Sequence, residues 1–205
     1  MNETKKRPNI LFILTDDQGA WAMGCAGNHE LKTPNLDRIA ENGMRFENFF
    51  CVSPVCSPAR ASIYTGKIPS QHGVHDWLAK GHVSESQLDD VLRGMLYKKD
   101  PPYEYLWPRQ QLRGDHAIQY LKGHETFSQV LAEHGYVCGL SGKWHMGDSA
   151  TPQAGFSDWH TEAMGGDNYY HPIVLEDGKM TMKHGVYVTD YITDNAMSFL
   201  RRHGG

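Results

Sequence analysis

Three short stretches hold residues whose types and spacing could do chemistry. Asp16 and Asp17 stand side by side after the apolar run Ile10 to Leu14. Adjacent carboxylates repel unless positive charge lies between them, and a hard cation with oxygen ligands is the usual solution. An aspartate capping the next turn beside a solvated neighbour fits the same pair. In "CSPARASIYTG", Cys56 sits just before a helix whose free N–H groups point at it, with Arg60 one turn later. Such surroundings lower a thiol pKa and favour a thiolate, yet a cysteine hydrolase also needs a general base, and nothing local supplies one. Lys143 and His145 lie two apart after a strand-like segment, so an extended backbone would project both from one side. Gly142 and Gly147 flank them, which points to an unusual backbone or to close approach of a ligand. Taken singly, Lys143 reads as a solvated lysine and His145 as a hydrogen-bonded structural histidine; only their conjunction points to a site.

The elements that must position these residues alternate. "NILFILT" is a continuous apolar run of strand length, the pattern of a strand covered on both faces in a parallel sheet. "TPNLDRIAENG" reads as a helix with Thr33 as N-cap, Pro34 at its first position, Leu36, Ile39 and Ala40 on one face, and Gly43 as terminator. "MRFENFFCV" returns as a strand whose Cys51 is a buried small hydrophobe. "PARASIYTG" is a short helix with Ser57 as N-cap, Pro58 at the first helical position and Gly66 past its end. "ETFSQVLAEHG" is an amphipathic helix closed by Gly135, and "YVCGLSG" is a strand leading to Lys143. This rhythm predicts an α/β fold with a largely parallel sheet sandwiched by helices. Asp16 and Asp17 then fall at the carboxyl end of a strand, where open α/β sheets collect ligands.

At 205 residues the chain could be one domain or a large piece of something bigger. Twenty basic residues against twenty-four acidic ones, with no basic run longer than Lys5 to Arg7, argue against a nucleic-acid partner. The five apolar residues Ile10 to Leu14 fall short of the roughly 7–15 of a secretory segment. No stretch approaches the ~20 of a membrane span, so no membrane partner is expected. Cysteines at 25, 51, 56 and 138 have neither the density nor the spacing of a disulfide framework or a zinc site. The expectation is a cytoplasmic, reduced protein, or a periplasmic or secreted one if a leader was removed. From about 83 to 122 the pattern loosens, and "YKKDPPYEYLWPRQQ" reads as a long excursion. It is either a solvated loop or a substrate lid carrying Tyr103, Tyr105, Trp107 and Arg109.

"CSPARASIYTG" resembles the sulfatase signature Cys-x-Pro-x-Arg followed by Thr-Gly, in which the cysteine is oxidised after synthesis to formylglycine. "PNILFILTDDQG" resembles the family's amino-terminal strand with its metal-binding aspartates, and "GKWHMG" its Gly-Lys-Trp-His-Leu-Gly segment. With "GFSDW" and "GGDNYYHP" the matches run in the family's order along most of the chain. The resemblance implies an alkaline phosphatase-like fold, truncated at the C-terminus, in which residues 1–205 are the amino-terminal part of a catalytic domain with a long insertion at about 83–122. It also implies a sulfatase that hydrolyses sulfate esters, plausibly of a carbohydrate, after a maturation enzyme has converted Cys56. Asp16, Asp17 and residue 56 would bind a divalent cation, calcium by preference. Arg60 would hold the hydrated aldehyde, Lys143 would contact a sulfate oxygen, and His145 would hydrogen-bond the diol. A phosphate or phosphonate monoester hydrolase with the same site is the alternative enzyme. An inactive fragment is the other alternative, since the family's later metal ligands and its later Lys and His find no counterpart here. Asp167-Asn168 falls in a glycine-rich loop and Asp194-Asn195 in a helix.

Overall fold

The computed structural model describes residues 7–96 and 114–204. The chain divides into two compact units, residues 1–51 and 52–205.

In the first unit, helix α1 runs Pro34–Asn42, with Thr33 as N-cap and Gly43 as C-cap. Proline suits its first position because that N–H would have no intrahelical acceptor anyway. Thr33 Oγ1 accepts from the Gly24 N–H at 2.8 Å and donates to Asp37 Oδ1 at 2.9 Å. The same carboxylate accepts from the Cys25 N–H at 2.7 Å, so the helix start is tied to the 3₁₀ turn Gly24–Ala26. That backbone donor holds the Asp37 carboxyl below its ordinary value.

Residues 9–15, expected as a strand covered on both faces, form none, and Ile10, Leu11, Phe12 and Ile13 are more than half exposed. A strand exists through ladder bonds to neighbours, and this unit holds no strand among its described residues to supply them. Residues 44–52 form no strand for the same reason. Phe49 and Phe50 are exposed there, and Cys51, expected to be buried, is exposed as well. Helix α1 buries none of its residues fully, and Ile39 is largely exposed.

The second unit opens with α2, Cys56–Thr65, whose N-cap is Val55 and not Ser57. Cys56 is therefore the first helical residue and Pro58 the third. Proline costs no bond there, since the first-turn N–H groups have no intrahelical acceptor; the ladder begins with Ala59 N–H to the Val55 carbonyl at 3.0 Å. Gly66 ends the helix in the left-handed region, φ 66°. A single turn, α3, Pro69–His72, follows.

Further along, α4 spans Asp90–Leu96 and α5 spans Phe127–Glu133. Thr126 caps α5 by accepting from the Gln129 N–H at 3.2 Å. Strand β1, Gly139–Gly142, pairs in parallel with β2, Asp158–Thr161, with Gly139 opposite Asp158 and Gly142 opposite Thr161. Helix α6, Val188–His203, packs on β1: Ser141 Oγ donates to the Ile192 carbonyl at 2.7 Å. The Phe199 ring lies 2.7 Å from where a side chain at Gly139 would begin, so only glycine fits there. Parallel pairing under a helix is the α/β arrangement expected. The hairpin of β3, Ile173–Glu176, and β4, Lys179–Met182, is antiparallel and was not anticipated. Its two-residue turn, Asp177 at φ 50° and Gly178 at φ 73°, has the doubly left-handed form that Asp-Gly favours.

Two cores result. One gathers Ala61, Val74, Leu121, Trp144, Met146 and Trp159 around α2 and β2. The other gathers Val83, Leu88, Leu92, Leu96, Ile173 and Met180 between α4 and the hairpin. Residues 83–96, the first part of the expected insertion, are thus core-forming, because Leu92 and Leu96 recur on one face of α4 and meet the sheet. Tyr103, Tyr105, Trp107 and Arg109 lie outside the described residues. Leu92 is fully buried, so Leu92→Ala should destabilise the protein by about 2–5 kcal/mol. Urea unfolding measures this; a change near zero would return the segment to the status of a surface excursion.

Candidate functional site

Helix α2 and the turn after β1 build the site. Cys56, half-buried, opens the helix, and Arg60 follows one turn later, nearly buried. Arg60 Nη1 donates to the Lys143 carbonyl at 2.8 Å, a charge-assisted bond between residues 83 positions apart. Lys143 and His145 do not share one side of an extended segment as their spacing suggested. Strand β1 stops at Gly142, φ 114°, and the backbone is left-handed again at His145, φ 54°, and Gly147, φ 89°. The tight path follows from packing: a side chain on Gly147 would begin 1.7 Å from the Ile118 carbonyl oxygen. The two glycines thus hold the unusual conformations that their placement suggested. The turn sends Trp144 and His145 fully inside and leaves Lys143 half-buried.

His145 is enclosed on several sides. Its Nε2 donates to the Leu78 carbonyl at 3.1 Å, and its ring meets Trp77 edge-on at 5.4 Å and His82 at 5.1 Å. The backbone of Gly165 covers the ring so closely that a side chain there would begin 2.0 Å from Nε2. Burial pushes the imidazole down to about 3, with further depression from His82, Lys143 and Arg60. His82 and His72 are also lowered by burial. His72 accepts from the Val74 N–H at Nδ1, 3.1 Å, and therefore donates from Nε2 to Ser62 Oγ on α2, 2.9 Å.

The structure therefore brings Arg60, Lys143 and His145 together beside the helix that Cys56 begins. Asp16 and Asp17 belong to the first unit, where both are exposed and Asp17 is left-handed at φ 54°. Among the described residues no group of three or more His, Cys, Asp or Glu side chains is arranged to hold a metal ion. Asp167 lies in the glycine-rich loop, as expected. It accepts from the Asn168 and Ile173 N–H groups at 2.7 Å each, organising the entry to β3. Burial pushes its carboxyl up to about 7. It borders a cavity of about 590 Å³ lined also by Met164, Gly166, Tyr169 and Tyr170. Sequence reasoning missed Leu78, His82 and Gly165. Two of the three act here through backbone atoms, which carry no residue-type signal; the local clue was only a histidine in "AKGHV".

The three buried imidazoles have folded-state pKa values below the unfolded value of 6.5. As the pH falls below about 6.5 the unfolded chain binds protons that the native state refuses, so stability is present above that pH and drains away toward 3. The urea midpoint should accordingly fall between pH 7 and pH 4.5. His145→Gln, which keeps an N–H for the Leu78 carbonyl but cannot titrate, should flatten the fall; an unchanged slope would place His145's titration elsewhere.

Residues 8–205 match the family model described as Sulfatase. The chain is 34% identical over 201 residues to an N-acetylglucosamine-6-O-sulfatase of Bacteroides thetaiotaomicron, covering 97% of this chain and 28% of that protein. It is 31% identical over 169 residues to the human steryl-sulfatase, covering 82% of this chain and 24% of that one. A solved structure of a protein in complex with its substrate D-glucosamine-2-N,6-O-disulfate superposes with a TM-score of 0.68 at 33% identity, over 96% of this chain and 31% of that one. The chain thus spans about a quarter of the length of these curated relatives.

Proposed function

Since the chain belongs to the sulfatase family, we propose that the protein hydrolyses sulfate esters of a carbohydrate through a formylglycine formed from Cys56. The observation that carries this reading is the placement of Cys56 at the head of α2, with Arg60 one turn on and bonded to the Lys143 carbonyl. One relative's name, N-acetylglucosamine-6-O-sulfatase, and a solved structure with a sulfated glucosamine bound support the carbohydrate class.

Hydration of the aldehyde at position 56 places two hydroxyls on one carbon. One oxygen attacks sulfur, the S–O bond to the sugar breaks, and the alcohol leaves with a proton. The remaining hydroxyl then gives up its proton as the C=O bond re-forms, and the C–O bond to sulfate breaks to release inorganic sulfate. Water rehydrates the aldehyde. A serine would stop at the stable sulfate ester. Charge gathers on the sulfuryl and leaving oxygens, so fixed cations and donors are the main resource. In this reading Arg60 holds the hydrate, Lys143 contacts a sulfate oxygen, and His145 hydrogen-bonds the diol.

Asp16 and Asp17 are proposed to contribute carboxylates to a divalent-cation site, with calcium suited to their hard oxygens. Calcium takes 6–8 oxygens, so this pair does not make a site alone, and the steps above are carried by the protein's own groups. A formylglycine-generating maturation enzyme is the implied partner.

Mass spectrometry of the peptide containing residue 56, from protein co-expressed with such an enzyme, should show the aldehyde. Hydrolysis of 6-O-sulfated glucosamine should track the aldehyde fraction, and Cys56→Ala should abolish turnover. Lys143→Ala should lower kcat roughly 10²–10³-fold. Faster cleavage of aryl phosphate than of aryl sulfate would favour the phosphoester reading. Full activity in aldehyde-free protein would overturn the mechanism.

A further inference from the structure

Leu78 stands at a junction between the head of α2 and His145. Its N–H donates to Ser57 Oγ at 3.2 Å, next to Cys56 in sequence. Its carbonyl lies 3.1 Å from His145 Nε2 and 2.8 Å from His82 Nε2. A carbonyl oxygen can only accept, so each imidazole must carry a proton on Nε2. Two donors occupy the two lone pairs of one oxygen, and the shorter bond belongs to His82. His82 is itself 5% exposed and anchored, since its own carbonyl accepts from the Ser149 N–H at 2.7 Å. His145 Nδ1 is buried and has no hydrogen-bond partner among the described residues. Gly165, packed over the ring, blocks it from tilting away.

We infer that His82 is a positioning residue for His145: by fixing the Leu78 carbonyl it selects the Nε2–H tautomer and leaves Nδ1 as the ring's unfilled acceptor. A neutral imidazole holds one proton, so the nitrogen that does not donate to Leu78 must be the acceptor. The arrangement parallels the outer-shell carbonyls and carboxylates that orient metal-bound histidines, with a peptide group shared between two rings. The link to turnover rests on the sulfatase reading; the tautomer assignment does not.

The test separates the two. In the full-length protein labelled with ¹⁵N-histidine, long-range ¹H–¹⁵N correlations at pH 7 should show His145, identified by its loss in His145→Gln, as a single Nε2–H tautomer. His82→Gln carries its amide nitrogen near the position of Nε2 and should preserve that state. His82→Asn, whose nitrogen reaches only as far as Nδ1, should leave the carbonyl unheld and give mixed tautomers at His145. On the sulfate ester, His82→Asn should lose on the order of tenfold in kcat with KM little changed, and His82→Gln should recover most of it. A wild-type His145 protonated on Nδ1 would overturn the inference, and this needs no variant to fold. A folded His82→Asn protein with the wild-type tautomer and kcat would overturn it too. Absence of sulfate ester hydrolysis in wild type and variants alike would count against the sulfatase reading alone.

Discussion

The hydrogen bond from Arg60 Nη1 to the Lys143 carbonyl joins the first helix of the second unit to the turn that follows its parallel strand pair. Its donor is a nearly buried cation. Burying a guanidinium is costly unless its N–H groups find acceptors, so the turn must present a carbonyl at that point. The left-handed residues at 142, 145 and 147 let the chain do so while burying Trp144 and His145.

From that constraint the surrounding packing follows. Trp144 enters an aromatic group with Tyr64, Phe156 and Trp159, with ring centroids 5.1 to 6.4 Å away. Tyr64 belongs to α2, so the helix carrying Cys56 and the turn carrying His145 share one core. His145 on the other side of Trp144 in sequence is pressed against Trp77, His82 and Gly165. A dry, crowded imidazole stays neutral, which suits the diol contact proposed for it and avoids competition with Lys143 and Arg60 for charge. The same dryness makes the region sensitive to acid.

The second core does different work. The β3–β4 hairpin, which follows the loop containing Gly165 and Asp167, packs against α4 as a support. Two backbone N–H groups and burial act in opposite directions on the Asp167 carboxyl, and burial prevails. The loop that covers His145 is thereby anchored by a side chain six residues before Ile173, the first residue of the hairpin.

What the sequence determined by itself was local or chemical. Thr33-Pro34, Gly66 and the strand before Lys143 were legible because caps, terminators and apolar runs act within a few residues. Cys56, Arg60, Lys143 and His145 stood out as candidates because they sit in motifs that resemble the sulfatase signature. The helix start shifted from Ser57 to Val55, since proline is compatible with any first-turn position. Residues 9–15 and 44–52 read as strands but form none, because an apolar run specifies burial without supplying the neighbour that a ladder requires. Only the tertiary structure decided that the turn after β1 reverses at His145, that Arg60 answers to a carbonyl 83 positions away, and that Leu78, His82 and Gly165 surround one imidazole. Those relations are made by backbone atoms and by contacts between distant segments, and neither leaves a periodicity or a residue-type signal along the chain.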